Sequence, residues 1–190
     1  MTAWIERAER DGPPRISIVG ISGSGKSTLG AALGARYGVP HLELDSVFHQ
    51  PGWTPLETEA FRARVRTEVA APGWVVDGNY YSRVQDLVWG AARLVVWIDL
   101  PRRQVMRNIV PRTLARVFSR RELWNGNREP WGNLFRWDPE ENVMRWAWTR
   151  HGPTRERYAR LIDAPEWSHL EFVRLTSRAA VTAACRAAAR

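Results

Sequence analysis

The sequence predicts an α/β domain of three layers, a parallel five-stranded sheet with helices on both faces, and three observations carry that prediction. Short apolar runs alternate with segments of helical period along the chain. A glycine-rich loop joins the first such run to the first helix. A length of 190 residues with 44% apolar content suffices for one covered sheet rather than two independent domains, so residues 1–190 are read as one unit.

The elements follow in order. Arg15-Ile16-Ser17-Ile18-Val19 reads as a buried strand, and Ser27 to Tyr37 as a helix with Leu29, Ala32 and Leu33 on one face, stopped at Gly38-Val39-Pro40. His41 to Leu44 is a short strand, Thr54 to Ala70 a helix, and Trp74 to Asp77 a strand announced by Pro72-Gly73. Tyr81 to Gly90 reads as helical and Leu94 to Ile98 as the most apolar strand. Arg103 to Ser119 is a helix that Pro111 is expected to kink, and Pro139 to Thr149 and Pro153 to Ile162 are two further helices. Leu170 to Leu175 closes the sheet and the alanine-rich Ala179 to Ala189 forms the last helix. Strands separated by helices imply right-handed crossovers and a parallel sheet.

The loop between the first strand and helix carries the chemistry. Gly20-Ile21-Ser22-Gly23-Ser24-Gly25-Lys26-Ser27-Thr28 fits the phosphate-binding pattern G-x-x-x-x-G-K-[ST]. Its glycines let successive N–H groups converge on phosphate oxygens, aided by the positive end of the following helix. Lys26 is the only lysine against 27 arginines, as expected where a slender ammonium must reach the β- and γ-phosphates. The Ser27 hydroxyl is positioned to ligate Mg²⁺, so ATP and Mg²⁺ are the expected cofactors.

Ligands of such sheets bind beyond the carboxyl ends of the strands. Asp45, Asp77 and Asp99 occupy those ends and are expected to face the loop, to support Mg²⁺ or to take a proton from an attacking hydroxyl. No histidine pair has ligand spacing; His41 starts a strand, His151 and His169 flank helix ends, and His49 alone falls near this edge. The single Cys185 excludes an internal disulfide and reads as helix packing.

A net charge of +8 attracts polyanions, so nucleic acid is a possible but secondary partner beside a small-molecule one. No stretch approaches the ~20 apolar residues of a membrane span. Met1 to Arg15 is too polar for a secretory signal, so a cytoplasmic monomer or homodimer is expected.

Several segments together resemble the P-loop kinase superfamily. They are the phosphate loop, Leu44-Asp45 with Pro51-Gly52-Trp53, Trp74-Val75-Val76-Asp77-Gly78-Asn79-Tyr80, and Ile98-Asp99-Leu100-Pro101-Arg102 with the arginines that follow. Within that superfamily they are most similar to the adenylate-kinase-related DNA topology modulation (FlaR-type) proteins. The likeness covers roughly residues 15–119 and the final strand with its loop at Ser177.

The resemblance implies the nucleoside-kinase-like version of the fold, with a helical Trp- and Arg-rich lid insertion at about residues 103–165. It implies nucleotide binding by Gly20, Ser22, Gly23, Ser24, Gly25, Lys26, Ser27, Thr28, Arg107 and Ser177, and metal support by Ser27 and Asp77. Asp45, Trp53, Asn79 and Arg83 would face the acceptor, with Asp45 as candidate general base. Arg112 and Arg116 would join Lys26 and Asp45 in catalysis by clamping the transferring phosphate.

Asp-Gly-Asn-Tyr stands where nucleotide kinases carry Asp-Gly-Phe-Pro-Arg, which argues against AMP as acceptor. The guanine-reading Asn-Lys-x-Asp motif has no second lysine to use, so ATP is the expected donor. The implied activity is transfer of the γ-phosphate to a hydroxyl or phosphate acceptor. The alternatives are a nucleotide-dependent DNA-binding protein and an ATPase switch.

The segment Glu122 to Glu129, with its Asn125-Gly126-Asn127 turn, precedes a tryptophan-rich run. Trp124, Trp131, Trp137, Trp146 and Trp148, with Phe135, admit three readings: a small core joining two lid helices to the main domain, a stacking surface for an aromatic acceptor, or a single-strand platform with Arg128, Arg136 and Arg145. The first is preferred here, because aromatic side chains are most often buried.

Overall fold

A computed structural model describes residues 2–10, 12–134 and 142–190. Among these residues there are seven strands: β1 (Arg15–Gly20), β2 (His41–Glu43), β3 (His49–Gln50), β4 (Thr54–Pro55), β5 (Trp74–Asp77), β6 (Leu94–Ile98) and β7 (Glu171–Leu175). The helices are α1 (Ala3–Arg7), α2 (Lys26–Tyr37), α3 (Leu44–Phe48), α4 (Thr58–Val69), α5 (Gln85–Ala91), α6 (Arg102–Ser119), α7 (Val143–Ile162) and α8 (Arg178–Ala188). Five strands form one parallel sheet in the order β2-β5-β1-β6-β7, while β3 and β4 make a separate antiparallel ribbon.

The central strands are short and apolar because both faces are covered. Their side chains alternate between two cores. Ile16, Ile18, Val75, Val96 and Ile98 pack with Leu29 and Leu33 of α2, Val105 and Ile109 of α6, and Ala184 of α8. Val19, Trp74, Val76, Val95 and Trp97 pack with Phe61 and Val65 of α4 and Trp89 of α5. Helix α7 passes from one core to the other, with Ala147 in the first and Tyr158 in the second. The predicted three layers are present, and Gly20, Asp77 and Glu43 end adjacent strands at one edge.

Four local expectations change. Asp45 does not follow a strand in a loop: β2 ends at Glu43, and Asp45 lies in the first turn of α3. The helix expected from Thr54 starts at Thr58, because Pro55 holds Thr54 extended and the Glu57 carboxylate caps the N–H groups of Glu59 and Ala60. The helix expected from Tyr81 starts at Gln85. The two helices expected around Pro153 are one, α7, and Pro111 likewise lies inside an uninterrupted α6. Both prolines are exposed, as are Arg107 and Thr149, whose carbonyls lose their N–H partners, so the break in the ladder falls on the solvent side of each helix.

The Pro139 start of the first of those helices lies outside the described residues. An N-terminal helix, α1, was not anticipated; it buries Trp4 and Ile5 against the first core.

Candidate active site

The phosphate loop takes its shape from backbone that only glycine holds without strain. Gly20, Gly23 and Gly25 have φ of 146°, 82° and 103°. At Gly20 space is also limiting, since a Cβ would lie 2.5 Å from the Ile98 carbonyl oxygen. Asn79 fixes the loop's entry: its Nδ2 donates to Gly20 O at 2.6 Å and its Oδ1 accepts from Gly20 N at 3.1 Å and from the Tyr158 hydroxyl at 3.0 Å. Its oxygen is thereby committed to Gly20 and Tyr158, while Asn79 also lines the cavity described below. Asn108, on α6, ties the other side by donating to Gly23 O at 3.0 Å.

Lys26 opens α2 and donates to Ile21 O at 3.3 Å. Burial pulls its pKa below the usual lysine value, while the charges of Asp77, Asp45 and Glu43 oppose that shift and Arg112 adds to it. Asp77 accepts from Ser27 Oγ at 3.4 Å, and its other oxygen lies 2.8 Å from His41 Nε2. His41 fits there because α2 carries Gly30, where a Cβ would come within 2.3 Å of that nitrogen.

Across the cavity, Asp45 Oδ1 accepts from the Tyr80 hydroxyl at 2.7 Å. Burial, reinforced by Asp45, drives the Tyr80 pKa well above 10, so the phenol remains a donor. His49 Nε2 is 3.5 Å from the same hydroxyl, and burial lowers the His49 pKa against the pull of Asp45. Arg83 donates to Thr58 Oγ1 at 2.6 Å and lies 4.9 Å over the Phe48 ring. Arg112 donates to Ser22 Oγ at 3.0 Å, and Arg116 to Glu129 at 3.2 Å.

These groups line one cavity of about 1220 Å³ that includes Ser22, Gly23, Gly25, Lys26, Ser27, Thr28, Asp45, Trp53, Asp77, Asn79, Arg83, Arg112 and Arg116. Gly20 and Ser24 are buried beneath the loop. Arg107 is exposed and outside the cavity wall, and Ser177 caps α8 by accepting from Ala180 N at 3.2 Å. Asp99 does not join the other two carboxylates: Arg174 and Arg155 hold it at 3.0 and 3.1 Å on the far side of β6 from β1, toward β7.

The 122–129 segment is bound to the acceptor side by side-chain-to-backbone bonds. Asn125 Nδ2 donates to Ser46 O at 2.8 Å and His49 O at 2.6 Å, and Asn127 Nδ2 donates to Gln50 O at 2.9 Å. Trp53 returns two bonds, from its N to Asn127 Oδ1 at 2.9 Å and from Nε1 to Arg128 O at 3.0 Å. The asparagines therefore do not present polar groups over an acceptor; they hold the loop that forms its wall. The left-handed backbone at Asn125 (φ 55°) and Gly126 (φ 76°) explains this turn's Asn-Gly sequence.

Of the expected tryptophan core among the described residues, Trp146 packs against the first core of the main domain, whereas Trp131 and Trp148 are exposed. Trp124 and Trp146 line the cavity, Trp131 packs on exposed Phe118, and exposed Trp148 lies under Arg102. Trp137, Phe135 and Arg136 lie outside the described residues. Sequence reasoning missed His41, Asn108 and Glu129. In the sheet register His41 stands beside Val75 and Glu43 beside Asp77, so no strand-end pairing marked the contact between His41 and Asp77.

No family model matches the chain. It is similar to the adenylate kinase of Desulfotalea psychrophila, 27% identical over 137 residues, covering 60% of this chain and 60% of that protein. It is also similar to the adenylate kinase of Nitratidesulfovibrio vulgaris, 30% identical over 142 residues, covering 63% and 62%. The chain thus spans about three fifths of the length of these relatives. Among solved structures, a gluconokinase from Sinorhizobium meliloti 1021 superposes with a TM-score of 0.50 at 18% identity, covering 93% of this chain and 89% of that one. The sheet order, with the phosphate loop between its central strand and α2, is that of the P-loop kinase fold.

Proposed function

We propose that this protein is an ATP-dependent small-molecule kinase that transfers the γ-phosphate of Mg·ATP to a hydroxyl or phosphate acceptor. One observation carries the reading: Lys26 and Ser27 of the phosphate loop line the same cavity as the strand-end Asp77 and as Asp45, Tyr80 and Arg83 of the acceptor half. The names of the relatives support a kinase but disagree on the acceptor, adenylate in two and gluconate in the fold neighbour.

The residues fit Mg·ATP. A glycine loop with positive φ at Gly20, Gly23 and Gly25 and a partly buried lysine held to one carbonyl suit a triphosphate. Ser27 Oγ and Asp77 Oδ1, 3.4 Å apart, suit a hard cation, directly or through water. No group of three or more His, Cys, Asp or Glu among the described residues could hold a metal alone, so the cation would depend on the nucleotide's own oxygens. Bound Mg²⁺ would neutralise charge on the leaving phosphates. The chain's own part is positioning: Lys26 and the loop amides hold the triphosphate, Asn79 and Asn108 brace the loop, and Arg112 and Arg116 flank the transfer path.

The test is label transfer from γ-labelled ATP to nucleosides, nucleotides and small hydroxylated metabolites, with Lys26→Ala as control. The competing DNA-binding reading rests on the +8 charge, several of whose arginines pair with acids. Duplex affinity below micromolar at physiological salt, with a steep salt slope, would favour it.

A further inference from the structure

Resting on the kinase reading, we infer that the nucleophile of the acceptor is an alcohol, carried on an uncharged molecule with a flat apolar face, and not a phosphate. Three features of the acceptor half carry this. Asp45 has one oxygen fixed by the Tyr80 hydroxyl at 2.7 Å, and its second oxygen has no hydrogen-bond partner among the described residues. A free carboxylate oxygen in the cavity that the phosphate loop also lines suits an alcohol, whose proton must be removed as its oxygen attacks. It opposes a phosphate, already ionised at neutral pH and repelled by a like charge.

The charge around it points the same way. Glu43 lines the acceptor half beside Asp45, adding a second negative group. The cations of the same cavity have partners: Arg83 on Thr58 and Phe48, Arg116 on Glu129, Arg112 on Ser22 of the phosphate loop. A dianionic monoester would meet two carboxylates there, while Arg112, whose Nε is buried without a partner, is tied to Ser22 of the phosphate loop rather than to the acceptor half.

The wall itself is aromatic. Phe48 meets Tyr80 at 4.7 Å and His49 at 5.2 Å, His49 meets Trp53 edge-on at 5.3 Å, and Trp124 lies near-parallel to His49 at 6.4 Å. Such a surface takes the face of a nucleobase or the C–H face of a sugar ring. In the transfer, the alcohol oxygen forms a bond to the γ-phosphorus and its proton passes to Asp45. The bond from that phosphorus to the β,γ-bridging oxygen breaks, leaving its electron pair on ADP.

The experiment is calorimetric titration of the protein saturated with Mg²⁺ and the β,γ-imido analogue of ATP. One arm uses ribonucleosides and the other monosaccharides, each against its own phosphate monoester. The expected result is that an alcohol of one arm binds, that its monoester binds at least tenfold more weakly, and that Asp45→Asn narrows the gap to under threefold. A monoester binding as well as its parent alcohol, a gap unmoved by Asp45→Asn, or no alcohol of either arm binding overturns the inference. The analogue's own titration reports separately on the kinase reading: losing it overturns both, whereas intact analogue binding with the wrong acceptor order overturns the acceptor alone.

Discussion

The phosphate wall of the cavity comes from one continuous stretch, Ser22 to Thr28 with Ser24 buried behind it, whereas the acceptor wall is assembled from residues 43–55, 77–83 and 124–129, which meet only in the folded chain. The first wall is shaped by glycine backbone and braced from outside by Asn79 and Asn108. The second is held by asparagine side chains donating to main-chain carbonyls about 75 residues away. The difference teaches where tolerance should lie. Damage to the phosphate wall should abolish turnover in a folded protein, while damage to the acceptor wall should loosen one substrate and leave the other.

The strongest way to break that comparison is Lys26→Ala. It should lower kcat by at least ~10²–10³-fold. Because burial disfavours its charge, the melting temperature should be unchanged or higher. A melting temperature that falls with activity would mean the lysine acts through the fold. Asp45→Asn comes next, with a loss of roughly 10²–10⁴-fold in kcat and unchanged affinity for an ATP analogue. Normal turnover by this folded variant would remove Asp45 from the base role.

Gly30→Ala tests the support beneath the phosphate wall. The new methyl group collides with His41 and disturbs Asp77, so urea unfolding should show a loss of about 1–3 kcal/mol. Gly90→Ala, at a helical glycine with open space around it, should instead gain up to ~1 kcal/mol. Equal effects at the two positions would refute the packing explanation.

Asn127→Ala sharpens the other side of the comparison. It removes two bonds between the 122–129 segment and the loop, one of them the acceptor of the Trp53 N–H, at a cost of about 1–3 kcal/mol. The KM for the acceptor should rise several-fold and the KM for ATP should not move. A parallel rise in both would show the walls to be one cooperative unit.

The smallest effect is on pH dependence. Burial lowers the His49 pKa below 6.5, so the folded state binds that proton less readily than the unfolded state. Stability should therefore fall as pH drops from 6.5 through the folded value, and His49→Gln should flatten that slope. An unchanged slope would assign it to other groups.

The phosphate loop, the five strands and the strand-end position of Asp77 were legible because each is set by residues adjacent in sequence. Asp45 was found by position although its helical turn was not, since Leu44-Asp45-Ser46-Val47-Phe48 is too short to show a period. Asp99 misled because a strand-end carboxylate looks alike whether it faces the loop or, as here, two arginines from α7 and β7. The prolines misled because propensity does not say which side of a helix is wet. The roles of Asn125 and Asn127 depend on carbonyls of a distant segment, and no local pattern encodes such partners.

The most direct test of the central claim is γ-phosphate transfer from labelled ATP to the acceptor panel by wild-type protein beside Lys26→Ala and Asn127→Ala. The account predicts a labelled product from wild type, none from Lys26→Ala, and from Asn127→Ala a product formed at normal ATP dependence but higher acceptor concentration. Label appearing only as inorganic phosphate, or equal product from Lys26→Ala, would contradict it.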